Sequence, residues 1–144
     1  MKKNNALCHF LFALYLAVLV YFLFFAEGFR EAASGAYRYN FIPFHEIRRY
    51  LLYADRIGYF RTVVNLAGNI VAFMPLGFFL PKLVKRNLNF WMVTLYSMEA
   101  SIAVEVLQLF TKVGCCDVDD VILNTTGGML GFLCYYICKG RKKR

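Results

Sequence analysis

The stretch Asn65-Leu-Ala-Gly-Asn-Ile-Val-Ala-Phe-Met-Pro-Leu-Gly-Phe-Phe-Leu-Pro81 decides the reading of the fold. It is apolar enough to lie in lipid and carries no charge, yet it contains Asn65, Asn69 and an internal proline, Pro75. A carboxamide in hydrocarbon costs free energy unless it is hydrogen-bonded, so both side chains must face protein, water or a ligand. Their spacing of four puts them on one helical face. Pro75 removes a backbone donor, which predicts a kink near 71–75. Gly68 and Ala72 make a small-residue face on which a neighbouring helix could pack.

Outward from this stretch the chain keeps the same character. Of its 144 residues, 60% are hydrophobic and 18% aromatic, and the mean hydropathy of +0.49 is far above that of an ordinary soluble domain. Seventeen Lys and Arg against nine Asp and Glu give a formal charge of +8. These basic residues sit largely between apolar runs, which indicates membrane orientation and lipid headgroups, and no nucleic-acid partner is expected. Five cysteines, Cys8, Cys115, Cys116, Cys134 and Cys138, make an odd set with two inside apolar helices and no disulfide framework.

The expected architecture is a single all-α membrane domain over 1–144, with four transmembrane helices at about 6–26, 60–80, 89–110 and 119–138. An amphipathic helix at 44–60 lies in the membrane interface. The first run is long enough to span a bilayer core at ~1.5 Å per residue. Small residues at 32–36 would suit a cleaved signal peptide, but the run exceeds a usual h-region, so an uncleaved helix is expected. In the amphipathic segment Phe44, Ile47, Leu51, Ala54 and Ile57 recur at helical spacing. Pro43 would fit its first turn and Asn40 the turn before it.

The third run contains Glu99 and Glu105, and intramembrane carboxylates face a bundle interior or a watery cavity by default. Ser101, Glu105 and Gln108 share a face; Glu99 lies about 120° away from Glu105 and serves another contact. The fourth run begins Asp117-Val-Asp119-Asp120 and carries Asn124, Gly127, Gly128 and Gly131, whose G-x-x-x-G spacing suits close packing. Counting basic residues beside the runs places both termini in the cytoplasm. That topology brings Asn65 and Asn69, Glu105 and Gln108, and Asp117, Asp120 and Asn124 to one level near the outer surface.

These residues also carry a resemblance. Asn40-Phe-Ile-Pro-Phe44, Asn65-Leu-Ala-Gly-Asn69 with Phe73-Met-Pro-Leu-Gly77, Glu105-Val-Leu-Gln108, and Asp117-Val-Asp-Asp120 with Asn124-Thr-Thr-Gly-Gly128 and Gly131 occur in the order seen in VanZ-like membrane proteins. The chain resembles that family, named from a teicoplanin-resistance accessory protein, over nearly its whole length, with roughly 39–132 the informative part. The resemblance implies a small polytopic bacterial membrane protein associated in some members with lowered susceptibility to teicoplanin-type glycopeptides. Many relatives carry an arginine in the turn before the first aspartate; here the turn reads Thr111-Lys-Val-Gly-Cys-Cys116, so Lys112 or a cation would have to take its place.

The expected function is non-enzymatic binding of an amphiphilic or lipid-linked cell-envelope ligand in an outer-leaflet polar pocket. Asn40, Asn65, Asn69, Glu105, Gln108, Asp117, Asp120 and Asn124 are its candidate contacts, and Gly68, Pro75, Gly127, Gly128 and Gly131 its packing positions. The alternative is a hydrolase or transferase acting on a lipid-linked substrate, with Glu105 and Asp120 as acid and base. No cofactor or metal is expected; were a hard cation bound, Glu105, Asp117, Asp119 and Asp120 would supply the oxygens. A third possibility is structural, the polar residues only hydrogen-bonding one another. Besides membrane lipids, a lipid-linked wall precursor or a lipoglycopeptide is the expected partner.

Overall fold

The computed structural model describes residues 2–22, 39–84, 87–112 and 115–141, with the side chains of 2–5 and 141 outside that description. Helix α1 runs Lys2–Tyr21. Two short helices follow, α2 at His45–Leu52 and α3 at Ala54–Ile57. Three long ones complete the chain: α4 at Tyr59–Leu83, α5 at Phe90–Thr111 and α6 at Val118–Arg141. Two-residue strands β1, Tyr39–Asn40, and β2, Cys116–Asp117, pair in parallel. Helices α4, α5 and α6 are long and apolar enough to cross a membrane, and α1 contributes a shorter apolar stretch, Ala6–Tyr21. The protein is thus all-helical and of membrane character. The end of the first apolar run at 23–26, the small residues at 32–36, Lys85 and Arg86, and the last residues of the tail fall outside the described residues.

Local chemistry sets the helix ends. The Asn89 side chain accepts a hydrogen bond from the Met92 amide and caps α5, which ends at Lys112 in the left-handed region, φ 57°. Gly58, at φ 101°, turns the chain from α3 into α4, a conformation that favours glycine. The single amphipathic helix expected at 44–60 is therefore two, broken first at Tyr53, whose φ of −115° leaves the helical region, and then at Gly58. Hydrophobic period reports which face is apolar but not the dihedral of one joint. Pro43 lies outside α2 rather than in its first turn, because Phe44, at φ 63°, occupies the N-cap.

Consecutive long helices run antiparallel, so α4 and α6 begin, and α5 ends, at one end of the bundle. The largest contact is α4 against α6, followed by α5 against α6, while α1 lies on α4. Glycine permits these approaches. A Cβ built on Gly127 would meet the Ile70 carbonyl oxygen at 2.1 Å, and one on Gly131 would meet that of Met74 at 1.9 Å. A Cβ on Gly77 would meet the Gly128 carbonyl oxygen at 1.9 Å, and one on Gly128 would meet the Ser97 hydroxyl at 2.0 Å. Gly68 departs from expectation: a Cβ there would meet nothing within 4 Å, so no described helix rests on it. Helix α4 continues through Pro75 and Pro81. Phe73, Leu76, Val93 and Phe132 form the apolar core, and Tyr15 donates to the Ala72 carbonyl at 2.8 Å, fastening α1.

These contacts predict opposite outcomes for alanine at two kinds of glycine. Gly127→Ala and Gly131→Ala should each destabilise the protein by about 2 kcal/mol or more, since the obstructing atoms are backbone. Gly68→Ala should be neutral or stabilising by up to ~1 kcal/mol. Thermal unfolding of the three variants in one detergent checks both directions.

Candidate functional site

The end where α4 and α6 begin and α5 ends carries most of the hydrogen-bonded polar side chains of the bundle. The buried face of α5 is a row of small and polar groups, Ser97, Ser101, Glu105 and Gln108, running toward this end. Ser101 accepts from Asn124 Nδ2 at 2.9 Å. The Glu105 carboxylate accepts the Asp117 amide at 2.8 Å, tying the end of α5 to β2. Asn69 Nδ2 donates to Asp120 Oδ1, linking α4 to α6.

Asp117 and Asp119 attach the first loop to this end. Asn40 Nδ2 donates to Asp117 Oδ1 at 3.0 Å, and the same oxygen accepts the Asp119 amide at 2.8 Å. Asn40 Oδ1 in turn accepts the Ile42 amide. The Asp119 carboxylate, 1% exposed, takes three backbone amides at the start of α2: Phe44 on one oxygen, Glu46 and Ile47 on the other. It caps, from another part of the chain, the start of a helix more than seventy positions earlier. The Phe44 side chain offers no cap of its own, and an anion at a helix N-terminus also meets the positive end of its dipole.

Between α2 and the ends of the long helices lies a cavity of about 640 Å³. Its walls include Asn65, Gln108, Asp117, Asp119 and Asp120 among the sequence candidates, together with Glu46, Arg49, Tyr50, Phe60, Arg61, Val64 and Cys115. Asn40, Asn69, Glu105 and Asn124 do not line it; they stand behind the wall and hold it. Asn65 differs from Asn69 in another way, because its Nδ2 is satisfied within its own helix by the Arg61 carbonyl at 2.9 Å. Among the described residues no three of Glu105, Asp117, Asp119 and Asp120 gather into a group able to hold a metal ion. Asp119 instead spends its oxygens on α2.

Charge at the site is mixed. Glu46 pairs with Arg49 within α2, whereas Arg61 has no ion pair among the described residues. Burial pushes the Asp117 carboxyl above the usual carboxylate range, and the neighbouring Asp119 and Glu46 carboxylates push the same way, against the hydrogen bonds from the Asp119 amide and Asn40. Burial, then Glu105 and Asp117, push the Cys116 thiol up, so it is not poised as a thiolate nucleophile at neutral pH. Sequence reasoning missed Glu46, Arg49, Tyr50 and Arg61 as cavity walls. The available signal was the absence of any Ser, Thr, Asp or Asn immediately before His45, which leaves the helix needing an acceptor from elsewhere in the chain.

Fold and site define an all-helical membrane protein with a polar cavity at one end of its bundle. The VanZ/LLP1 family model matches residues 12–139, and the chain belongs to that family. It is 28% identical over 128 residues to Protein VanZ of Enterococcus faecium, an alignment covering 87% of this chain and 71% of that protein. No solved structure matches.

Two measurements test the clasp. Asp119→Ala removes the acceptor for three amides and should cost about 2 kcal/mol, seen as tryptic cleavage at Arg48, Arg49 and Arg56 accelerated tenfold or more (order of magnitude). Asp117→Asn keeps an oxygen that accepts both hydrogen bonds but removes the titration. Because the folded pKa is raised, protonation favours the folded state, and that contribution is fully present below the unfolded pKa and lost as pH rises through the folded one. Lowering the pH from neutral toward about 4 should therefore stabilise the wild type relative to Asp117→Asn, with unfolding midpoints compared across that range.

Proposed function

We propose that this protein is a non-enzymatic membrane component whose cavity binds the polar head of an amphiphile. The ligand class is a lipid-linked cell-envelope precursor or the acylated end of a teicoplanin-type glycopeptide, and its capture would lower susceptibility to such glycopeptides. The observation that carries the reading is the cavity itself, where carboxylates, carboxamides and guanidinium groups meet the apolar side chains of Phe60, Val64 and Leu66. Such a wall suits hydroxyls, amides and sugars on one side and an acyl or prenyl chain on the other. Arg61, in the first turn of α4 and without an ion pair among the described residues, suits an anionic phosphate at headgroup depth.

In this proposal α1 is the fourth span and both termini are cytoplasmic, which puts the cavity in the outer leaflet. The apolar stretch Ala6–Tyr21 and its Tyr15 contact with α4 support the fourth span. Lys82 and Lys139, at the opposite end of the bundle from the cavity and stacked over Phe78 and Tyr135, support the orientation. Binding rather than acid-base chemistry is favoured by the position of Glu105, which is 4% exposed and accepts the Asp117 amide behind the cavity wall.

Expression in a glycopeptide-susceptible bacterium should raise the inhibitory concentration of teicoplanin, and Gln108→Leu or Arg61→Gln should return it to the control value. Mass spectrometry of the purified wild type should find a retained amphiphile that both variants lose. Unchanged susceptibility together with a wild-type protein that retains no amphiphile would sink the proposal.

A further inference from the structure

The short pair α2 and α3 carries a second concavity, an open groove of about 390 Å³ lined by Arg49, Tyr50, Tyr53, Arg56 and Ile57. It adjoins the cavity described above, since Arg49 and Tyr50 line both, but its chemistry differs. Glu46, Asp117, Asp119 and Asp120 line the cavity, whereas no carboxylate lines the groove; Asp55, next to Arg56 in the chain, is not among its walls. Each of its guanidinium groups stands over a ring. Arg49 Cζ is 5.2 Å from the Tyr50 centroid and Arg56 Cζ 5.8 Å from that of Tyr53. A ring in that position restrains the guanidinium and leaves the N–H groups at its edge to donate. Arg49 gives Nη2 to Glu46 and keeps further donors. Arg56 has no ion pair, and the Tyr50 and Tyr53 hydroxyls no hydrogen bond, among the described residues.

We propose that this groove binds the phosphate of an anionic phospholipid, with Arg49 and Arg56 as its charged donors. The place of the groove in the chain sets its depth. Ile57 ends α3, and after Gly58 the chain enters α4, which is long and apolar enough to cross a membrane. Tyr59 and Phe60, in the first turn of α4, are exposed, and aromatic residues gather where a span meets the headgroup layer. A phosphate carried by a lipid is therefore delivered to the level of the two arginines, with its glycerol and acyl carbons beside the tyrosine rings and Ile57. A free phosphate gains nothing from that depth. Net charge selects among lipids. Phosphatidylglycerol is negative, whereas phosphatidylcholine brings its own cation against the two guanidinium groups. Tyr53, Arg56 and Ile57 do not line the cavity, so the proposal holds whatever occupies the cavity and whichever leaflet the groove faces.

The full-length protein in a nonionic detergent is titrated with dioctanoyl phosphatidylglycerol, dioctanoyl phosphatidylcholine and inorganic phosphate, and native mass spectrometry reads the bound fraction. Phosphatidylglycerol should bind about tenfold more tightly than phosphatidylcholine, and inorganic phosphate at equal concentration should not displace it. Arg56→Gln should weaken phosphatidylglycerol binding about tenfold, the size of one charged hydrogen-bonding partner. Arg48→Gln removes an equal charge from an exposed position of α2 outside the groove and should bind as the wild type does. Diffuse attraction between basic residues and an anionic lipid would instead fall alike with either arginine. Helical circular dichroism equal to the wild type's shows that each variant is folded. Equal affinity for the two lipids, displacement by inorganic phosphate, equal losses in Arg48→Gln and Arg56→Gln, or wild-type binding in Arg56→Gln each overturns the proposal.

Discussion

The carboxylate of Asp119 is the constraint on which the rest of this end of the molecule depends. Helix α2 follows an apolar N-cap residue, Phe44, in the left-handed region and has no side-chain cap of its own. Left alone, its first amides would need water. Asp119 supplies both oxygens to them from the first turn of α6. The exchange serves both partners, because a nearly buried carboxylate needs several donors to offset its lost hydration. The consequence is positional. One wall of the cavity is this short helix, and Asp119 fixes it over the other walls. Asn40 and Asp117 add a second attachment on the same loop through the two-residue parallel pairing.

That clasp is only as rigid as the helix that carries it. In lipid there is little hydrophobic drive between helices, so association depends on packing and on interhelical hydrogen bonds worth about 0.6 kcal/mol each on average. Glycine supplies the packing, since Gly127 and Gly131 put the α6 backbone against the carbonyls of Ile70 and Met74. The Asn69–Asp120 bond lies at the end of this contact toward the cavity. Neither element suffices alone, as one hydrogen bond of that size does not hold two helices together and a glycine contact does not choose a partner for Asp120. Together they place α4 and α6 so that the carboxylates of α6 arrive at fixed positions.

Much of this could be read in the amino acids, and the part that could not has a common cause. The shared face of Ser101, Glu105 and Gln108 follows from helical spacing, and it is the face that α5 buries. The meeting of Asn69 with Asp120 follows from chain order, because consecutive spans must return polar residues to the same end. Periodicity assigns faces and order assigns ends. Neither reports which atom of a side chain is already engaged. Asn65 and Asn69 were indistinguishable as a pair four apart, yet one closes on its own helix and the other crosses to α6. Asp120 was a candidate ligand contact and Asp119 only a candidate cation ligand, yet both line the cavity, Asp119 as a helix cap and Asp120 bound to Asn69. The break at Tyr53 and the left-handed Phe44 are single-residue dihedral events that no hydrophobic pattern records.

The distinction between side chains that hold the cavity and side chains that face it also orders their chemistry. Glu105 and Asn124 lie deeper than the cavity and are 4% and 2% exposed; a ligand would first have to displace a backbone amide from Glu105 and, at Asn124 Nδ2, a serine, although Asn124 Oδ1 has no hydrogen-bond partner among the described residues. A displaced buried donor costs about 1–3 kcal/mol, so the Glu105 carboxylate and the Asn124 amide nitrogen hold the wall at that energetic cost to any competitor. Asn65 and Gln108 lie in the wall itself. Asn65, with one N–H of its amide given to the Arg61 carbonyl, keeps its Oδ1 acceptor and one further N–H for the wall. Arg61 then becomes a principal donor on that wall, carried by the very residue whose carbonyl fixes the asparagine. The wall thus offers the acceptors of its carboxylates and carboxamides beside the guanidinium charge of Arg61.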